Sequence, residues 1–366
     1  MPAMTAAHVI VLATPVFLLA IALEWWLGRR RGRDTYRLGD ALASMGLGVM
    51  SQVTGVFGAL LGVAVYGLAF EHLALWRLPA DSPAVWIGAL LAYDFCYYWY
   101  HRAGHRVAVL WAAHAVHHQS EDYNLSTALR QTSSGFVFGW LFYLPLALAG
   151  VPPLVFGTVA LIDLLYQFWV HTQQIGRLGW FDRWFCSPSN HRVHHAVNDR
   201  YLDRNYGGIL IVWDRLFGTF TEEDDAERCV YGTRSPLRSF DPVWANLQVY
   251  AELWRDSRRA RRWRDRLRLW LKPPGWRPAD VAARWPKPAF ELARVERYDP
   301  QVGRAAQAAA LGLFALAVAG LGLFLWYLEQ LAPALRVAAA AALIALLWAI
   351  AALTQPRPTA LHAPAS

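Results

Sequence analysis

"AVWIGALLAYDFCYYWYHRAGHRVAVLWAAHAVHHQS", residues 84–120, begins as an apolar and aromatic run and ends with five histidines inside eighteen positions. Its first part, Ala84 to Tyr100, reads as a membrane-crossing helix, since about 20 helical residues span a hydrocarbon core. Its second part carries HRAGH and HAVHH. Residues i, i+3 and i+4 share a helix face, so these spacings set imidazoles side by side, as metal ligands are set. One continuous stretch therefore joins lipid to metal.

Outward from it, the composition agrees. Of 366 residues, 56% are hydrophobic and 17% charged, against about half and a quarter in soluble domains. The net charge of +8 is spread between apolar runs rather than over one soluble face, which excludes nucleic acid and points to anionic phospholipid headgroups. Cys96, Cys186 and Cys229 form no CxxC pair and predict neither a disulfide framework nor a thiolate zinc site.

Val9 to Leu27 is an apolar run with no basic segment before it and Arg29, Arg30, Arg31 and Arg33 after it, which predicts a retained span ending in the cytoplasm. Ala41 to Phe70 has no charged residue and runs outward. Ala84 to Tyr100 then returns, so His101 emerges on the cytoplasmic side. Gly135 to Val151 and Leu154 to Val170 form a hairpin at "GVPP", where proline stops one helix and starts the next. Ala305 to Leu328 and Val337 to Leu353 end the series. The expected fold is all-α and polytopic, with about seven transmembrane helices and a cytosolic histidine-rich cap.

This divides the chain into N-terminal transmembrane helices (1–83), a histidine-box domain (84–235), a cytosolic Trp/Arg-rich interfacial segment (236–304), a C-terminal transmembrane pair (305–354) and a disordered tail (355–366). The expected setting is an inner membrane of a bacterium, with the active site on its cytoplasmic side. In the interfacial segment, Trp254, Leu267, Trp270 and Leu271 stand among arginines, the composition of an amphipathic helix lying among headgroups.

Nine of the twelve histidines fall in four clusters: His101 and His105; His114, His117 and His118; His171; and His191, His194 and His195. All four clusters lie on the cytoplasmic side of a topology derived from arginine placement alone. Nine imidazoles exceed what one transition metal takes, so two metals sharing a pocket is the economical reading. A bis-histidine haem uses only two of them.

These boxes resemble those of the membrane fatty acid hydroxylase and sterol desaturase superfamily. "DFCYYWYHRAGH", "FWVHTQQIGRLGWFD", "SPSNHRVHHAVNDRYLDRNYGG" and "WDRLFGTF" are most similar to its alkylglycerol monooxygenase-like branch, over residues 84–235. The resemblance implies two iron ions held by the nine clustered histidines, His171 being the additional one before the last box, and O2 as co-substrate for oxidising a lipid C–H bond. Asn190 stands where some relatives carry a further histidine. The implied function is a hydroxylase or desaturase of membrane lipids, with glyceryl ether cleavage as one form. The alternative is a non-catalytic metal-binding protein: transporter, sensor or zinc-bound scaffold. Redox-inert zinc does not activate O2, which favours iron.

Asp94, two turns before His101, is the expected catalytic-site carboxylate, either orienting a ligand histidine or bonding a tyrosine. Asp163 before His171 invites the same readings, and Glu121, Asp122, Asn198, Asp199 and Asp203 read first as turn caps and second as acceptors from metal-bound imidazoles. The chain shows no GxGxxG after a strand, no P-loop and no iron–sulfur cysteine set. Electrons are therefore expected from an external donor: ferredoxin, a cytochrome b5-like protein or a reduced pterin.

Overall fold

The computed structural model describes residues 5–356. Among these residues there is no strand, only two isolated antiparallel bridges, Phe185 with Leu210 and Ala196 with Tyr231. Residues 357–366, most of the expected disordered tail, lie outside the described residues.

Helices form where the apolar runs place them. They are α1 (Ala6–Arg30), α2 (Leu38–Leu73), α3 (Pro83–Arg106), α4 (Ala108–His118), α5 (Leu125–Ala128), α6 (Phe136–Leu148) and α7 (Pro153–Trp169). Short helices α8 (Phe181–Trp184), α9 (Pro188–His195) and α10 (Val212–Leu216) follow. Then come α11 (Pro242–Arg259), α12 (Trp263–Leu271), α13 (Ala279–Arg284), α14 (Arg304–Trp326) and α15 (Pro333–Thr354).

Among the described residues, four helices are long and apolar enough to cross a membrane: residues 7–30, residues 38–58 within α2, α14 and α15. The expected count of about seven is not confirmed. With 13 and 17 residues, α6 and α7 reach about 20 and 26 Å, short of a core of about 30 Å. Gly150 turns the chain between them at φ +82°, where a Cβ would meet the Trp76 carbonyl oxygen at 2.0 Å.

Two apolar cores organise the bundle. One joins α2, α14 and α15 through Leu47, Val53, Ala317 and Leu347. The other joins the far end of α2 to α3, α6 and α7, where Tyr66 stacks on Phe156 at 4.0 Å and Tyr93 on Tyr143 at 4.5 Å.

Buried polar bonds tie the long helices to the histidine-bearing segments. Glu24 of α1 accepts from the Leu125 amide at 2.7 Å and from the hydroxyls of Tyr36 and Thr172, the residue after His171. Arg37, at the start of α2, donates to Asp122 at 3.1 Å, just past HAVHH. The α11 and α12 helices pack against α4, and the Ala108 amide donates to the Lys272 carbonyl at 2.9 Å. This segment leaves Trp254, Trp263, Leu267 and Leu271 exposed.

Candidate metal centre

α3 continues unbroken through HRAGH to Arg106, and α4 begins after one extended residue, Val107. HAVHH closes α4, HRVHH forms the end of α9, and His171 follows α7. All nine clustered histidines converge, in two groups. His101, His105, His114, His118 and His194 form one group; His117, His171, His191 and His195 form the other, with ligand atoms in each within 4.8 Å of one another.

Each HxxHH box feeds both groups. From α4, the i and i+4 residues His114 and His118 enter the first group and the i+3 residue His117 the second. From α9 the assignment is reversed: His191 and His195 enter the second group and His194 the first. The i and i+4 rings stand over one another, while i+3 lies about 60° around the helix and faces the neighbouring group.

Within the groups the Nε2 atoms converge. His114 Nε2 lies 3.1 Å from those of His101 and His118, His171 Nε2 lies 3.2 Å from that of His117 and 3.1 Å from that of His191, and His195 and His191 are 3.2 Å apart. Two nitrogens each about 2.0–2.1 Å from one ion, at octahedral to tetrahedral angles, stand about 2.9–3.4 Å apart. The Nε2 atoms of His105 and His194 are buried with no hydrogen-bond partner. Buried polar atoms are rarely left so, and lone pairs facing a cation account for it.

The other ring nitrogen fixes the orientation. Nδ1 of His101 donates to the Tyr206 carbonyl, that of His117 to Arg130 and that of His171 to Gln167, each at 2.8 Å, and His194 Nδ1 donates to the Arg204 carbonyl at 3.0 Å. These bonds set the tautomer that presents Nε2 as a lone pair. Burial pushes His117 down to about 4 and holds His114, His118, His191, His194 and His195 well below the usual imidazole range. Neutral imidazole is the form that binds metal.

A cavity of about 560 Å³ reaches His101, His114, His117 and His171 and extends between α1, α2, α3, α6, α7 and α14. Apolar and aromatic side chains dominate its wall, including Phe17, Val63, Tyr66, Phe156 and Phe168. Both histidine groups thus meet one apolar chamber.

Asp94 touches no histidine. Its carboxylate accepts from the amides of Ile209 at 2.7 Å and Leu210 at 3.1 Å and from Trp213 Nε1 at 2.8 Å. With Asp214, which accepts from the Tyr206 and Gly207 amides at 2.8 and 2.7 Å, it clamps the turn whose Tyr206 carbonyl holds His101. Direct orientation of a ligand by Asp94 is therefore corrected to positioning at one remove. Asp163 likewise acts through a neighbour, accepting from Gln167 Nε2 at 2.7 Å while the Gln167 carbonyl holds His171. Asp203, read as a turn cap, instead faces His105 Nδ1 at 3.4 Å. Glu121 and Asp122 face Arg37, Asp199 pairs with Arg234, and Asn198 accepts from the Val230 amide at 2.9 Å. Asn190 is structural, donating to the carbonyls of Asp182 and Phe185 at 3.0 and 3.1 Å. Sequence reasoning missed Asp214, and it missed the four carbonyls because any residue supplies one.

Residues 86–219, which contain all nine histidines, match the family model "Fatty acid hydroxylase". The chain carries a fatty acid hydroxylase family domain. It is 41% identical over 270 residues to an alkylglycerol monooxygenase of Homo sapiens, covering 73% of this chain and 59% of that protein. It is 38% identical over 290 residues to the alkylglycerol monooxygenase of Xenopus tropicalis, covering 79% and 64%. An ornithine lipid hydroxylase of Rhizobium tropici is 31% identical over 177 residues, covering 46% and 53%. The chain thus spans about 60% of the length of the alkylglycerol monooxygenases it matches. No solved structure matches it.

The partition makes sequence neighbours fail differently. His117→Ala and His118→Ala should each retain about one tightly held metal per chain, the double variant about none, and His118→Ala/His194→Ala about one, because losing a ligand weakens only its own group. Metal analysis after chelator challenge measures this; equal loss in both double variants would refute the partition.

The metal-free protein should also be acid-sensitive. The folded chain keeps His117 neutral down to about 4, whereas unfolded histidine takes a proton near 6.5, so the unfolded state binds more protons between these values. Stability then falls as pH drops from about 6.5 towards 4 and is flat above about 7.5. Melting temperatures of the metal-free protein across that range test it, and a constant melting temperature from pH 7 to 5 would contradict it.

Proposed function

We propose that the chain is a membrane-bound di-iron oxygenase that uses O2 to hydroxylate or desaturate a lipid, with glyceryl ethers among the substrates its monooxygenase relatives suggest. The observation carrying this reading is the convergence of nine imidazoles in two groups, four of them held by backbone carbonyls, with both groups reaching one apolar cavity. His101, His105, His114, His118 and His194 would hold one iron ion and His117, His171, His191 and His195 the other. Bound there, the iron pair would supply the O2 activation that side chains alone cannot.

The chain's own contribution is placement. The carbonyls of Tyr206, Arg130, Gln167 and Arg204 keep ligand rings aimed inward, and Asp94 and Asp214 hold the turn that offers the first of them. The apolar wall excludes water and lays a hydrocarbon chain beside the centre. Inserting one oxygen atom into a C–H bond while reducing the other to water consumes two electrons and two protons. With no nucleotide or iron–sulfur motif in the chain, a ferredoxin, a cytochrome b5-like protein or a reduced pterin would deliver the electrons. Exposed arginines of α11 and α12, such as Arg255, Arg258 and Arg264, offer an acidic carrier its docking charge.

A non-catalytic transporter or sensor is the second reading. Transport needs ionisable groups through the membrane depth; apart from histidine, Asp163 is the one ionisable carboxylate lining the cavity.

The reading includes a topology. α3, α6 and α7 would complete seven spans beside α1, α2, α14 and α15, the short pair α6 and α7 fitting by local thinning of the bilayer, with the histidine cap cytoplasmic and α11 to α13 lying on the membrane surface. Purified protein from iron-replete cells should hold about two iron atoms, remain inactive with lipid, O2 and NADPH alone, and oxidise lipid once a reductase with carrier, or a reduced pterin, is added. Stoichiometric zinc without iron under all conditions would sink this reading.

In a variant lacking native cysteines, Glu71→Cys should react with an impermeant maleimide in intact cells, and Asp225→Cys, a side chain 89% exposed, only after permeabilisation. The opposite labelling pattern would reject the topology.

A further inference from the structure

The cavity wall sorts its polar groups by place. No lysine or arginine lines it. Its carboxylate, Asp163, accepts at Oδ2 from Gln167, and its Oδ1 is buried without a hydrogen-bond partner. A carboxylate or phosphate headgroup therefore finds no counter-charge in the wall.

Apart from the hydroxyls of Tyr93 and Tyr143, whose rings stack on one another, three neutral polar groups of the wall are left with spare capacity. Gln52, in the apolar span of α2, lines the cavity, and among the described residues its amide has no hydrogen-bond partner. Gln131 donates Nε2 to the Ala128 carbonyl at 3.0 Å, leaving Oε1 open. The Tyr100 hydroxyl reaches only the Gly135 carbonyl, at 3.5 Å. Polar groups in an apolar setting are costly unless satisfied, so the occupant supplies the missing partners.

All three stand at the histidine end. Tyr100 precedes His101, and Gln131 follows Arg130, whose carbonyl holds His117. Gln52 lies one turn along α2 from Gly48, which packs so closely on the Leu129 carbonyl that a Cβ would come within 2.5 Å of it. The far end, around Tyr66 and Phe156, is aromatic.

We propose that Gln52, Gln131 and Tyr100 form a subsite for an uncharged, hydroxyl-bearing lipid head beside the metal centre. An amide both donates and accepts, as a hydroxyl does, whereas a carboxylate or phosphate only accepts and brings charge. The subsite selects neutral hydroxylated amphiphiles over free fatty acids and phospholipids. It rests on the reading of the cavity as the substrate site, and it adds which residues choose the head.

Equilibrium binding tests it without turnover. In nanodiscs, anaerobically and without reductant, displacement of radiolabelled 1-O-hexadecylglycerol is measured with the unlabelled diol, its 2,3-dimethyl ether and palmitate. The wild type should bind the diol at least about tenfold more tightly than either competitor. Gln52→Leu and Gln131→Leu should each compress that ratio below about threefold while leaving affinity for the dimethyl ether unchanged. Metal content and gel-filtration profile confirm folding, with Gln52→Met replacing a leucine variant that fails. Equal wild-type affinities, tightest binding of palmitate, or a preference that survives both substitutions overturns the subsite. Discriminating binding in a protein that never oxidises lipid would overturn the oxygenase reading and leave the subsite standing.

Discussion

Nine imidazoles can converge only if each ring is held from behind. A neutral ring presents a lone pair at Nε2 when Nδ1 keeps the proton and has somewhere to donate it. Here four rings donate to carbonyls of separate segments: Tyr206 and Arg204 beyond α9, Arg130 beyond α5, and Gln167 in the last turn of α7. The histidine boxes are therefore incomplete without backbone outside them, four residues away for His171 and 105 away for His101. That requirement explains the investment in holding loops still: Asp94 and Asp214 together accept four amide hydrogens from residues 206–210.

The same constraint fixes how the apolar bundle meets the site. α1 is mostly exposed along its apolar window, only 11% of it buried, yet Glu24 gives it three buried acceptor bonds to Tyr36, Leu125 and Thr172. Leaving buried donors unsatisfied costs about 1–3 kcal/mol each, so the helix is pinned at its histidine end and loosely packed elsewhere. Arg37 and Asp122 do the same for α2. The cavity opens beside α1, where Phe17 packs on Phe168 of α7 at 4.4 Å.

The helices and the histidines that gather at one place were legible because their signals are local. Apolar run length predicted α1, α2, α14 and α15 to within a few residues, and HRAGH, the two HxxHH boxes and the isolated His171 together marked every histidine that converges. The number of spans was less legible, because Gly135 to Val151 is apolar throughout but yields a helix of only 13 residues, the chain spending its ends on turns. Which histidine joins which group was not legible at all. His117 and His118 are adjacent and chemically identical, and spacing along one helix does not show which distant histidines each will meet. Asp94 misled for a related reason: helical periodicity placed it on the His101 side, but periodicity cannot show that the 209–213 segment lies closer.

An all-imidazole set has a consequence of its own. Carboxylate ligands, as in helical-bundle di-iron sites, bring negative charge to the ion they hold; nine neutral rings bring none. Any cation pair bound here would keep its full charge against apolar walls, where electrostatic interactions are least screened. The fixed counter-charge must then come from outside the ligand set. Asp203 stands 3.4 Å from His105 Nδ1, with Arg106 on its other oxygen at 3.6 Å, and Asp163 stands behind Gln167 and His171. Each histidine group thus has one acidic residue close behind it, Asp203 facing a ring directly and Asp163 through a glutamine. The first group, with the direct carboxylate, is the better placed to stabilise positive charge, which makes the two halves of the centre electrostatically unequal although both are built from the same side chain.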